Sequence, residues 1–141
     1  MKLELSRIDM WTATIEDRAG GAADKLEPLA KAGVDLEFAF ARRTPEQPAK
    51  GVLFVTPVKG RRAIKAAQDA GLEKSAEVCA LRIEGANQPG VTAKMVRALA
   101  NAGISFRALS AAAVGRKFVA YLALDTAEDG ARANAVLKKL S

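Results

Sequence analysis

The chain states one pattern twice, about 70 residues apart: Gly20 is answered by Gly90, Leu29-Ala30 by Leu99-Ala100, and Ala32-Gly33 by Ala102-Gly103. In each copy a glycine-containing turn opens a short helical stretch, which ends at Ala-Gly and runs into an alternating strand. A repeat of this kind constrains the architecture before any side chain is interpreted, because both copies must satisfy one local structure. Two related units in one chain can also build a ligand site at a junction.

Periodicity fills in each copy. Residues 8–16, rich in threonine, isoleucine and tryptophan, read as a strand, and Asp17-Arg18-Ala19-Gly20-Gly21 as a turn. Apolar residues at Ala22, Leu26, Leu29 and Ala30 make one face of a helix over 22–32. Pro28 lies inside that helix, where it removes a hydrogen bond and should bend the axis, and Gly33 is placed to cap it. Val34, Leu36, Phe38 and Phe40 alternate with Asp35 and Glu37, predicting a half-buried strand with its aromatic face on the core. A loop with Pro45 and Pro48, a strand over 51–56, a helix over about 60–70 and extended chain over about 73–77 complete a β-α-β-β-α unit. The second copy reads as strand 78–85, turn 86–90, helix 91–102, strand 104–109, turn 114–117, strand 118–124 and helix 127–139. The chain stops at Ser141, so this copy is expected to lack its last strand.

The order is that of the split-βαβ, ferredoxin-like fold, an antiparallel sheet with two helices on one face. The expected class is therefore α+β, with one unit over residues 1–77 and a second over 78–141. Either Trp11, Ala13 and Ile15 or Val119, Tyr121 and Ala123 should occupy the face away from the helices. Such faces are too apolar to be left wholly to water, so packing on another sheet or a second chain is expected.

Composition removes several functions. No histidine is present and Cys79 is the one cysteine, which excludes imidazole catalysis, Ser-His and Cys-His pairs and cysteine-based zinc or iron–sulfur sites. The apolar neighbours Val78, Ala80 and Leu81 predict a buried Cys79 thiol. No apolar run approaches the roughly 18 residues of a bilayer span. The first residues, Met1-Lys2-Leu3-Glu4-Leu5, lack the apolar segment of a secretory signal, so a cytoplasmic protein is expected. The net charge of +6 divides into +2 over residues 1–72 (12 basic, 10 acidic) and +4 over 73–141 (10 basic, 6 acidic). The charges are scattered, and the densest basic groups, Arg42-Arg43, Arg61-Arg62, Arg116-Lys117 and Lys138-Lys139, are only pairs, the pattern of a solvated surface.

Residues 78–140, with strand Leu81-Arg82-Ile83-Glu84-Gly85, turn Asn87-Gln88-Pro89-Gly90, helix ending Leu99-Ala100-Asn101-Ala102-Gly103-Ile104, hairpin and helix, resemble an ACT domain. That domain is the small amino-acid-binding regulatory module of biosynthetic enzymes. Residues 7–77 resemble it more weakly, with Asp17-Arg18-Ala19-Gly20 standing where Asn87-Gln88-Pro89-Gly90 stands. The physics of the turn agrees with this resemblance. A glycine turn entering a helix leaves N–H groups of the first helical turn unpaired, and with the helix dipole they seat an anion such as an α-carboxylate.

The resemblance implies a stand-alone tandem ACT protein that binds a small amino acid between units and shifts a population of domain arrangements. It implies no catalysis, no cofactor and no metal, a homodimer or higher homo-oligomer, and a separate metabolic enzyme as the recipient of the signal. Carried over residue by residue, the ligand residues are Asn87, Gln88, Pro89, Gly90 and Val91 in the second unit. In the first they are Asp17, Arg18, Ala19, Gly20 and Gly21. The position after Ala-Gly-aliphatic, commonly asparagine in the family, is Ser105 in one unit and Asp35 in the other. Arg18 is a candidate for clamping a carboxylate through two parallel bonds. The alternatives are an interaction module without ligand and a ferredoxin-like nucleic-acid binder. The latter is disfavoured because Phe38, Phe40 and Phe106 are placed on core faces and no strand of Lys/Arg-Gly-Phe-x-Phe type is seen. An acylphosphatase-type enzyme shares the topology but needs a strand asparagine where Ser105 and Asp35 stand.

Overall fold

A computed structural model describes residues 2–75 and 79–140. The elements are β1 (Leu3–Ile8), β2 (Trp11–Glu16), α1 (Ala23–Lys31), β3 (Phe38–Arg43), β4 (Lys50–Thr56), α2 (Arg61–Asp69) and β5 (Glu73–Lys74). There follow β6 (Cys79–Ala86), α3 (Val91–Asn101), β7 (Ala108–Val114), β8 (Lys117–Leu124) and α4 (Ala127–Leu140). They form two four-stranded antiparallel sheets, ordered β3-β4-β2-β5 and β1-β6-β8-β7. The chain divides into two compact units, Asp9–Ser75 and Met1–Ile8 with Ala76–Ser141.

That division corrects the expected boundaries at one end. Residues 1–8 leave the first unit, and the strand read as missing from the second is present as β1. It pairs antiparallel with β6 from Leu3 opposite Gly85 to Ile8 opposite Ala80. Leu3, 6% exposed, and half-buried Leu5 alternate toward the core, so burial on one face fixes the register. The sequence reading began its first strand at residue 8 and assigned no element to the residues before it. The fourth strand thus arrives from the front of the chain. Of the expected extended stretch 73–77, residues 76 and 77 lie outside the described residues, as does Val78.

The three Ala-Gly helix ends close alike. Val34 N–H bonds Leu29 O at 3.0 Å, Leu72 N–H bonds Ala67 O at 2.8 Å and Ile104 N–H bonds Leu99 O at 2.9 Å. Gly33, Gly71 and Gly103, with φ of 79°, 87° and 73°, take the left-handed position that such six-residue closures need. These caps delay the next strand. β3 begins at Phe38 and β7 at Ala108, four residues later than the predicted 34 and 104, because 34–37 and 104–107 carry the chain from helix end to sheet.

In the first unit Trp11, Ala13, Leu53 and Val55 pack with Leu29, Ala63 and Ala67 of the helices. This reverses the predicted faces. Trp11 and Ala13 are core residues with Ile15 packed against them, while Phe40 stands 42% exposed on the other side of the sheet. Pairing decides it: Leu53 and Val55, opposite Ala13 and Trp11, must face the helices, which puts Phe54 and its partner Phe40 on the far face. Phe106, also expected in the core, lies in the loop before β7 and is 37% exposed.

The second core joins Leu81, Ile83, Phe118, Ala120, Leu122 and Leu124 to Val91, Met95, Leu99, Ala133 and Leu137. Val119, Tyr121 and Ala123 do alternate onto the face away from the helices, as predicted for β8. Cys79 is buried, as its neighbours predicted, and α4 lies so close that a Cβ at Gly130 would overlap its Sγ. No helix among the described residues is long and apolar enough to cross a membrane.

Candidate functional site

The chain leaves β6 at Ala86 and reaches α3 through Asn87-Gln88-Pro89-Gly90. The Asn87 N–H is held by Arg116 O of the β7–β8 turn at 2.8 Å, which ties the loop to the hairpin tip. Val91 N–H bonds Gln88 O at 3.2 Å, and Lys94 N–H bonds Gly90 O at 3.0 Å, the first helical closure. Gly90 is the N-cap residue with φ 84° and ψ 2°, a left-handed conformation costly for any residue with a Cβ. A Cβ there would touch nothing within 4 Å, so glycine is required by the backbone conformation and not for want of space.

No side chain caps α3 and no acid lies in its first turn. The N–H groups of Thr92 and Ala93 therefore emerge at the positive end of the dipole without an internal acceptor. This helix end borders a hollow of about 220 Å³, lined on one side by Asn87, Gln88, Gly90, Val91 and Thr92. Across it stand Ala111, Ala112 and Ala113 of β7, with Phe118 beneath. The hollow thus has amide side chains and backbone donors at one wall and small apolar side chains at the other. Lys94 and Arg116 are exposed and in no ion pair among the described residues.

The first unit builds the same turn and closes it electrostatically. Arg18, the proposed clamp, gives Nη2 to Asp24 Oδ2 at 2.8 Å and Nη1 to Ala19 O at 3.0 Å. Asp24 lies in the first turn of α1 and already places a carboxylate at that helix end. Arg43 Nε lies 3.1 and 3.0 Å from the two Asp17 oxygens, and Lys50 Nζ lies 2.7 Å from Glu16 Oε1. The Lys50 ammonium holds the Glu16 carboxyl below the usual carboxylate range. Gly20 has φ 89°, matching Gly90, while a Cβ on Gly21 would overlap Glu16 O, so the backbone itself fills this turn.

Of the residues predicted for the second-unit site, Asn87, Gln88, Gly90 and Val91 line the hollow; Pro89 lies in the turn without lining it. Ser105 is exposed in the loop after the α3 cap and lines nothing there. Asp35 is likewise exposed in the loop before β3. Asp17, Arg18, Ala19, Gly20 and Gly21 come together as a turn, with the two charged members engaged as described. Sequence reasoning missed Thr92, Phe118 and the alanines of β7. The run Ala111-Ala112-Ala113 was a legible signal, since small side chains on a strand leave room beside a helix end.

Sheet order, two helices on one face and the twofold occurrence of the arrangement define a tandem pair of ACT-type, ferredoxin-like units. Solved structures share this fold over nearly the whole chain. A protein of Bacteroides thetaiotaomicron superposes with TM-score 0.79 at 19% identity, covering 96% of this chain and 89% of its own. The regulatory subunit of aspartate kinase from Thermus thermophilus, in its ligand-free form, gives TM-score 0.64 at 19% identity over 98% of this chain and 96% of that one. The corresponding subunit from Thermus flavus gives 0.63 at 19% identity, covering 100% and 98%. At these identities the likeness is one of fold. No protein-family profile matches the sequence, and no curated protein matches it.

Proposed function

We propose that this chain is a non-catalytic regulatory protein that binds a small amino acid at the Asn87–Val91 turn of its second unit. The observation that carries the reading is the uncapped, acid-free start of α3 opening on a hollow of about 220 Å³. Thr92 and Ala93 N–H groups would receive the α-carboxylate, and the Asn87 and Gln88 amides would accept from the ammonium. The alanine wall of β7 would take a modest side chain. The regulatory subunits that share the fold support a role in control over one in catalysis. A second copy of the chain apposed at the hollow would complete the ligand's enclosure, and a separate enzyme would receive the change.

A thermal-shift screen of the twenty amino acids, with calorimetry on any hit, tests this. A ligand at 100 times its dissociation constant contributes about 2.7 kcal/mol, several degrees in a domain of this size. The expected result is a saturable rise with one or a few amino acids. If none raises the melting point by about a degree, the reading fails.

A further inference from the structure

We infer that the face of the first unit's sheet turned away from its helices binds single-stranded nucleic acid. Phe38 and Phe40, expected in the core, are placed on this face by strand pairing. Phe40 on β3 stands opposite Phe54 on β4, with ring centroids 6.5 Å apart at an interplanar angle of 37°, and Phe40 is 42% exposed. Arg42, two residues on and hence on the same face, is exposed and in no ion pair among the described residues. Thr12 and Thr14 of β2 continue the same rows across the sheet. Two adjacent aromatic rings, with hydroxyls beside them and an exposed guanidinium that gives one N–H to the Arg43 carbonyl at 3.0 Å, form the kind of platform on which unpaired bases stack while a cation meets the phosphate.

A second observation comes from the strand itself. β4 opens Lys50-Gly51-Val52-Leu53-Phe54-Val55, keeping the basic residue, glycine, fifth-position aromatic and following aliphatic of the RNA-recognition strand. It is the third strand of its unit. Val52 and Pro57 stand where that strand carries its other two aromatics, and Phe40 on the neighbouring strand supplies a ring beside Phe54. The second unit lacks the device. At the repeat-related positions it has Ser110 for Phe40 and Ala112 for Arg42, and the Tyr121 hydroxyl is engaged with Arg82.

Nucleic acid is favoured over a second copy of this chain as the occupant. Self-association through a face centred on Arg42 would bring together two guanidinium groups that have no acidic partner among the described residues, whereas a polyanion is attracted to them.

The test is fluorescence anisotropy of a labelled ten-nucleotide single-stranded RNA with the full chain, at two salt concentrations and against a duplex of the same length. Binding should prefer the single strand and weaken with salt. The exposed change Phe40→Ala should weaken it roughly five- to a hundredfold, the cost of one lost stacking partner. Phe54→Leu, which preserves packing, should weaken it similarly, and Arg42→Ala should reduce the salt dependence. Gly90→Asp should leave RNA binding unchanged, so this inference and the amino-acid reading fail separately. Absence of binding, equal affinity for the duplex, or indifference to Phe40→Ala would overturn it. So would a dimer in sedimentation that Phe40→Ala dissociates, because the face would then belong to a second copy.

Discussion

The two glycine turns, Asp17–Gly21 and Asn87–Val91, sit at the same place in the same fold and differ almost wholly in charge. The first is closed upon itself: Arg18 pairs with Asp24, Arg43 with Asp17 and Lys50 with Glu16. The second has no acid in the first turn of its helix and no side-chain cap, with Lys94 and Arg116 nearby in no ion pair among the described residues. The units follow suit. Residues 9–75 carry 11 basic and 10 acidic side chains, a net +1, and residues 1–8 with 76–141 carry 11 and 6, a net +5. The caps and cores that hold the fold are kept in both copies, whereas the charges that would admit an anion are kept open in one. Duplication preserves architecture because burial and backbone closure are stringent, and leaves surface charge free to diverge because exposed pairs contribute little to stability.

The largest break in this comparison should come from deleting residues 1–8. That removes β1 from the second unit, with the burial of Leu3 and Leu5, and removes nothing from the first. Losing even one such leucine costs about 2–5 kcal/mol, so the deletion should unfold or nearly unfold the second unit. Hydrogen exchange should then show protected amides in Trp11–Glu16 and Lys50–Thr56 but not in Cys79–Ala86. Equal loss in both units would show that the division is drawn wrongly.

Next in size is the ligand itself. Gly90→Asp and Gly20→Asp each force a side chain into a left-handed backbone, at φ 84° and 89°, so each should cost about 1–2 kcal/mol of stability. They should part company in the presence of a bound amino acid. Gly90→Asp also places a carboxylate at the α3 terminus and should abolish the ligand-induced rise of about 2.7 kcal/mol, whereas Gly20→Asp should retain it. Calorimetry on the pair reads this directly, and loss in both would equate the turns.

What the sequence disclosed, and what it hid, follows from which interactions are local. The helices and the Asn87-Gln88-Pro89-Gly90 turn were legible because periodicity, Ala-Gly ends and a glycine entry are written in adjacent residues. The missing strand was not, since Leu3 and Leu5 acquire their meaning only opposite Gly85 and Ile83, more than half the chain away. The faces of the first sheet were misjudged for a related reason. Phe38 and Phe40 alternate with Val34 and Leu36 as one stripe, but the Gly33 cap and the chain's climb to the sheet separate the two pairs. Val34 and Leu36 pack on the core while Phe40 stands on the far face. In the candidate site, Asn87, Gln88, Gly90 and Val91 were found by motif, while placing Phe118 and the legible run Ala111-Ala112-Ala113 against them required the hairpin to fold back.

A smaller change sharpens the contrast between the turns. Asp24→Asn releases Arg18 and takes the negative charge from the first turn of α1. Both partners are more than half exposed, so stability should move by less than about 1 kcal/mol. If self-neutralisation is what separates the two turns, calorimetry should show stoichiometry rising from one amino acid per chain toward two. Stoichiometry fixed at one would assign the difference to the backbone that fills the turn at Gly21.

The smallest expected effect concerns acid stability, and again sets the units against each other. Glu84 receives Arg82 Nη1 at 2.8 Å and Lys117 Nζ at 3.0 Å, and these cations hold its carboxyl below the usual range. Glu16 is lowered as well, by Lys50. A carboxyl whose folded value lies below its unfolded one contributes stability that is fully present above the unfolded value and lost as pH falls through the folded one. Both pairs should therefore strengthen their units at neutral pH and release them on acidification below about pH 5. The pair in the second unit should matter more. Glu84 is about a fifth exposed against about half for Glu16, and Arg82 beside it has a buried Nε without a partner. Removing Glu84's charge leaves that arginine poorly satisfied, whereas Lys50 without Glu16 returns to water. Urea midpoints from pH 3 to pH 7 should accordingly decline less steeply for Glu84→Gln than for the parent, with a lower plateau at neutral pH, and Glu16→Gln should change both less. A larger effect for Glu16→Gln would mean that the open turn, and not the closed one, is the electrostatically indifferent half of the molecule.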